Sequence, residues 1–77
     1  MNFFAFVLIN VNTGKLNDVL NKLTKLDGVK EAYPTTGPYD IIIKIMADHL
    51  TEIREIVTGC LHNIDGIEKT ITCIIAE

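Results

Sequence analysis

Asp40 is the residue in this sequence with the clearest chemical opportunity. It closes the stretch Thr35-Thr36-Gly37-Pro38-Tyr39-Asp40 and stands at the mouth of an apolar run with no charge before Lys44. A carboxylate there can accept hydrogen bonds from loop N–H groups or pair with a ligand amine. The plainer alternative is a turn carboxylate that bonds its own backbone. Gly37 permits positive φ and Pro38 fixes φ, so the stretch reads as a tight loop feeding a strand. Loops held on a rigid scaffold present donors and acceptors in fixed geometry. Tyr33 and Tyr39 flank the loop, either as walls of a small site or as strand-end tyrosines that pack at an interface.

The other reactive residue types form no constellation. Cys60-x-His62 suggests a dyad on paper, but residues two apart on a helix point in different directions. Cys60 falls on an apolar stripe, so both Cys60 and Cys73 read as small buried hydrophobes. The two cysteines stand 13 positions apart with no CxxC pair, which indicates neither a zinc site nor a disulfide framework. A metal carrier would need a paired-cysteine loop after the first strand, and none is present. His49 reads as a surface residue of a helix first turn and His62 as a partner for a helix C-terminus. The expectation is a protein without catalytic residues, metal or cofactor.

Seventy-seven residues make one domain with a marginal core. With 48% hydrophobic residues, the chain carries more apolar surface than a small monomer hides easily, which points to an oligomer. The formal net charge is -3, and the seven Lys and Arg are spread along the chain, which argues against direct nucleic-acid binding. No apolar run is long enough to span a bilayer and no signal peptide leads the chain, so a cytoplasmic protein is expected.

The elements that must hold the loop follow from periodicity. Phe3 to Val11 is an almost unbroken apolar run suited to a central strand. Asn12, Thr13 and Gly14 break it and offer capping oxygens to a helix with Leu16, Val19, Leu20, Leu23 and Leu26 on one stripe, ending near Asp27-Gly28. Val29 to Tyr33, closed by Pro34, suits a sheet edge. Tyr39 to Ala47 is the second long strand. Asp48 is placed to cap a second helix whose stripe is Leu50, Ile53, Val57, Cys60, Leu61 and Ile64. Ile67 to Ala76 is the last strand, with Ile71, Cys73 and Ile75 on one side and Thr70, Thr72 and Ile74 on the other.

The halves repeat. Leu26-Asp27-Gly28-Val29 matches Ile64-Asp65-Gly66-Ile67 at an offset of 64 minus 26, or 38 residues. Two strand-helix-strand units give an α+β fold, the ferredoxin-like βαββαβ arrangement, with two helices on one face of a four-stranded antiparallel sheet. Alternation leaves both faces of the central strands apolar, and two helices cover only one. Dimerisation through the other face of the sheet is therefore expected.

These residues resemble the effector-binding domain of the Lrp/AsnC regulators, also called the regulation-of-amino-acid-metabolism domain. The resemblance spans essentially the whole chain. It rests on Thr36-Gly37-Pro38-Tyr39-Asp40 as a T-G-x-Y-D loop before an apolar strand, on Leu26-Asp27-Gly28-Val29, and on Lys69-Thr70-Ile71-Thr72 with Ala76-Glu77. It implies a domain that dimerises through its sheets, assembles into an octamer or decamer ring, and binds small effectors, typically amino acids, between dimers. Carried over by position, Tyr33, Thr36, Gly37, Tyr39 and Asp40 would be loop contacts, and Thr70 and Thr72 last-strand contacts. The family's helix-turn-helix is missing, so a stand-alone sensing domain is expected, reaching DNA only through full-length Lrp/AsnC regulators as partners. The competing expectation is a small dimeric ferredoxin-like enzyme holding a substrate beside the sheet, with Lys44, Asn10 and the threonines as its polar groups.

Overall fold

Phe3–Val11 forms β1, and its alternation sends Ala5, Val7 and Ile9 into the core while Phe4, Phe6 and Leu8 face the other way. In the computed structural model, which describes residues 3–75, the elements follow as α1 (Leu16–Thr24), β2 (Val29–Pro34), β3 (Ile41–Ala47), α2 (Leu50–Glu55) and β4 (Ile67–Ile75). The sheet order is β2-β3-β1-β4, with every neighbouring pair antiparallel. Each half's two strands are thus separated by a central strand of the other half, which is the interleaved ferredoxin-like arrangement. The order agrees with the periodicity and the strand spans nearly so: β3 begins at Ile41 and not at Tyr39, because Tyr39 and Asp40 belong to the loop, and Ala76 and Glu77 lie outside the described residues.

One side of the sheet makes the core. Ala5, Val7, Ile9, Ile41, Ile43 and Ile45 pack against Val19 and Leu23 of α1 and against Ile53 and Leu61, all buried. The repeated Asp-Gly turns lock the halves together crosswise. Gly28 has φ +91, and a Cβ there would come within 2.6 Å of Ile56 Cδ1 in the second half. Gly66 has φ +102, and its Cβ would meet Lys15 Cβ at 2.9 Å and Val19 Cγ2 at 3.0 Å in the first half. Glycine is required at both positions by dihedral and by space.

The helix ends differ from expectation. No side chain caps α1: Lys15 stands at its start, and the turn is closed by the Lys15 N–H donating to the Asn12 carbonyl at 3.0 Å. The helix ends at Thr24, whose hydroxyl donates to the Asn21 carbonyl at 2.8 Å, a back-bond that competes with continuing the ladder. At α2 the cap position is His49, not Asp48, and no side-chain cap bond forms.

The second helix is also irregular. After Glu55 the chain widens into a π-helical turn over Ile56–Cys60 and then tightens into a 3₁₀ turn over Leu61–Asn63. Thr58 and Gly59 sit in that turn, where Thr58 Oγ1 donates to the Arg54 carbonyl at 2.8 Å and glycine weakens the helix. The wider turn adds a residue, so Leu61 takes the buried position that regular spacing gives to Cys60, and Cys60 is exposed. Ile56 packs on the core, while Leu50 is exposed. Cys73 is exposed as well: it lies opposite Phe6 on the side of the sheet that no helix covers. Neither cysteine is the buried hydrophobe that the sequence suggested. Among the described residues no helix is long and apolar enough to cross a membrane.

Candidate functional site

β1 outruns its neighbour at one end of the sheet, since its pairing with β3 stops at Ile9 and Ile41 while the strand continues to Val11. The loop at residues 35–40 fills that gap. The Asp40 N–H donates to the Ile9 carbonyl at 2.9 Å, and the Val11 N–H donates to Asp40 Oδ2 at 2.9 Å. The carboxylate thus takes the place of a ladder acceptor where β3 has not begun, satisfying a part-buried donor. Three further bonds hold the loop. The Thr35 N–H donates to the Asp40 carbonyl at 2.8 Å, Thr35 Oγ1 to the Tyr39 carbonyl at 2.6 Å, and Asn10 Nδ2 to the Pro38 carbonyl at 2.9 Å. The tip, Thr36-Gly37-Pro38, is exposed, Gly37 has φ +130, and a Cβ there would meet nothing within 4 Å. Gly37 therefore serves the turn and leaves its backbone open to an approaching group.

The seven residues singled out from the sequence do not all meet in one chain. Thr36, Gly37, Tyr39 and Asp40 share the loop, with Tyr39 and Asp40 half-buried. Thr70 lies opposite Ile9 on β4, at the same end of the sheet and two strand spacings from β3, about 10 Å. Thr72 lies opposite Val7 and lines a hollow of about 190 Å³ beside α2, with Leu50, Ile53, Arg54, Val57 and Ile74. Tyr33 stands on the uncovered face of the opposite edge strand, paired with Ile42. Its hydroxyl donates back to Glu31 Oε1 rather than toward the loop.

That hydroxyl begins a polar chain that sequence reading missed. Glu31 Oε2 pairs with Lys44 Nζ at 3.5 Å, and Lys44 Nζ lies 5.1 Å from the centre of the Phe4 ring. The Tyr33 hydrogen bond, helped by the Lys44 charge and opposed by burial, holds the Glu31 carboxyl below its ordinary value. The same bond pushes the Tyr33 phenol up. Asn10 and Thr35 were also missed as holders of the loop. Asn10 is the one polar residue between Phe3 and Val11, and Glu31 faces Lys44 across β2 and β3, so strand register was the signal that could have found them.

A larger hollow, about 480 Å³, lies at the other end of the sheet, beside Gly28, Glu52, Glu55 and Cys60. It contains none of the seven. Among the described residues no three His, Cys, Asp or Glu are grouped to hold a metal ion. The loop is a hydrogen-bonded rim on the surface with its tip exposed.

A ferredoxin-like sheet with a clamped loop at the mouth of a central strand defines a small α+β binding domain. The chain belongs to the Lrp/AsnC ligand-binding domain family, whose family model matches residues 4–77. It is 38% identical over 76 residues to the HTH-type transcriptional regulator FL11 of Pyrococcus furiosus, covering 99% of this chain and 50% of that protein. The chain thus spans about half the length of the FL11 proteins it matches. The crystal structure of FFRP-DM1 superposes with a TM-score of 0.92 at 34% identity, covering 96% of this chain and 99% of that one. A transcriptional regulator of Neisseria meningitidis, solved as a complex with L-Met, shares the fold with a TM-score of 0.86 at 13% identity, covering 97% of this chain and 50% of that one.

Proposed function

We propose that this chain is a ligand-sensing and oligomerising module of transcriptional or metabolic regulation, and that its effector is a small molecule of the amino-acid class. The observation that carries the reading is the loop at residues 35–40, clamped to β1 by three hydrogen bonds from or to Ile9, Asn10 and Val11 and braced within itself by two from Thr35, while its tip faces outward. Such a rim costs little ordering entropy on binding. At Gly37 and Thr36 the backbone is open to an effector carboxylate. Asp40 keeps lone pairs beyond the one given to Val11, which an effector ammonium can use. Tyr33, Thr70 and Thr72 lie apart from the loop within one chain, so in this reading they join it from neighbouring subunits. The L-Met complex of the Neisseria protein, with the same fold, supports the amino-acid class.

The assembly proposed is a homodimer packed sheet on sheet, repeated into an octamer or decamer ring, with the effector between dimers. Full-length Lrp/AsnC regulators are proposed as further partners, and through them a route to DNA that the net charge of -3 does not favour for this domain directly. The proposed location is the cytoplasm and the proposed role is not enzymatic. Two of the polar groups that a substrate site beside the sheet would have used are committed, Lys44 to Glu31 and Asn10 to Pro38.

The test is a thermal-shift panel of the twenty amino acids read beside light scattering, because a ligand of the folded assembly raises its stability by mass action. The expected result is one amino acid, or a few of related shape, that raise the melting temperature in a concentration-dependent way. A flat panel on an intact assembly would set the amino-acid reading aside.

A further inference from the structure

The uncovered sheet face is apolar at Phe4, Phe6, Leu8, Ile42, Met46 and Ile71, yet a full ion pair sits within it. Lys44 is at the middle of a central strand, opposite Phe6, and helps to line a hollow of about 260 Å³ with Phe4, Phe6 and Ile75. Its side chain is only 29% exposed before anything covers the face, and Glu31 is 42% exposed. Glu31 is held on its other side by the Tyr33 hydroxyl. Among the described residues whose face the strand register fixes, the other charge on this face is Lys69, exposed beside Asn10 at the loop end and about 13 Å along the strands from the level of Lys44. Near its middle the face is therefore apolar with charges that cancel.

That cancellation bears on what can cover it. In a two-fold dimer each patch meets its own copy, so an uncompensated charge near the middle is set against the same charge, desolvated. A face whose charges cancel internally escapes this penalty and can stack on itself. We propose that Lys44 and Glu31 together are partner-selecting residues: they let this face take a second copy of the same chain and reject chains whose face carries unbalanced charge there. The inference rests on the sheet-on-sheet dimer of the preceding section. It adds the rule by which that dimer chooses its partner.

Charge exchange tests it. Glu31→Lys leaves two cations on each face and Lys44→Glu leaves two anions. Each variant alone is expected to dimerise on the order of a hundredfold more weakly than wild type or worse, the scale of breaking a buried pair. Mixed in equal amounts they are expected to form a heterodimer, and the double variant Glu31→Lys/Lys44→Glu to regain the homodimer. Analytical ultracentrifugation gives the association and circular dichroism the folding. A single variant that is unfolded alone but folds on mixing with the other supports the proposal, and one that stays unfolded in the mixture overturns it. Phe6→Asp, at the middle of the same face, separates the two levels. If Phe6→Asp dissociates the dimer while both charge variants self-associate like wild type, the selection rule is wrong and the sheet-on-sheet dimer stands. If Phe6→Asp leaves the dimer intact, the face is not the interface and both fall.

Discussion

The side of the sheet that meets the helices holds Ala5, Val7, Ile9, Ile41, Ile43 and Ile45, none with any exposed surface, whereas on the opposite side Phe6 is 38% and Ile75 39% exposed. The two sides come from the same strands, in strict alternation, and their apolar content is similar. They differ in what each tolerates. Among the described residues the buried core on the helix side contains no charged or polar residue, because its water is already excluded by α1 and α2. The other side carries Lys44, Glu31, Tyr33 and Asn10, linked to one another or to the loop. One side is finished within the chain, and the other is built to be finished by contact.

The largest effect should come from the finished side. Ile43 is fully buried and pairs with Val7 and Ala32 across the two neighbouring strands. Ile43→Ala removes three carbons and leaves a cavity that the sheet cannot close, so the loss should be about 2 to 5 kcal/mol. Denaturant unfolding checks it. An equal loss from Ile42→Ala, one residue along and on the open side, measured in a monomeric background such as Phe6→Asp, would erase the distinction between the faces.

Next in size is Asp40, which belongs to the end of the sheet and not to either face. Asp40→Ala strands the Val11 N–H and removes one of the three bonds that hold the loop to β1, for a loss of about 1 to 2 kcal/mol, since the bond is to a charged acceptor but only part-buried. Asp40→Asn keeps an oxygen for Val11 and should restore most of that stability. Any loss of effector affinity in Asp40→Asn at unchanged stability then belongs to the charge itself. The pair of substitutions separates the carboxylate's role toward Val11 from its role toward a ligand.

A smaller effect concerns Glu31 and Tyr33 on the open side. The Glu31 carboxyl is held low in the folded chain, first by the Tyr33 hydroxyl, so its contribution is present above the ordinary carboxylate range and is lost as pH falls through the depressed value. The Tyr33 phenol is raised by the same bond, so its contribution is present below the ordinary phenol range and is lost as pH rises through the raised value. Tyr33→Phe should therefore move the acid limb of the melting-temperature profile slightly toward higher pH and flatten the alkaline limb. An acid limb that coincides with wild type would mean that the hydroxyl does not support Glu31 in solution.

The order of the elements, the repeat of the two halves and the two-sided sheet were all readable from period-2 alternation and from the repeated Asp-Gly turn, because each depends on many residues acting together. The loop was readable from Gly37 and Pro38, whose dihedral requirements are local. What escaped depended on single events. The π-helical turn at Thr58 and Gly59 turned Cys60 out of the buried stripe while Leu61 stayed in it, and no periodicity shows where a ladder will slip. The Asp40 bond to Val11 joins residues 29 apart, and the partner could not be chosen before the strand register was known. Helix capping failed because Asn12 used its backbone carbonyl where its side chain was expected.

The two cysteines give the smallest energetic effect and the sharpest view of the two faces. Both thiols are exposed in the single chain, but for different reasons: Cys60 has been turned out of its helix by the π-helical turn, and Cys73 stands opposite Phe6 on the open side. Serine at Cys60 should change stability by about 0.5 kcal/mol or less, as for other surface substitutions. A second copy on the open side would cover Cys73 and leave Cys60 in water. Thiol labelling of the wild-type protein should then show one fast and one slow cysteine, with Cys60→Ser removing the fast phase and Cys73→Ser the slow one. In Phe6→Asp both should label fast, because the face is no longer covered. Two equally fast thiols in an assembled wild-type protein would show that the open side faces solvent after all, and would leave the contrast between the faces without its functional meaning.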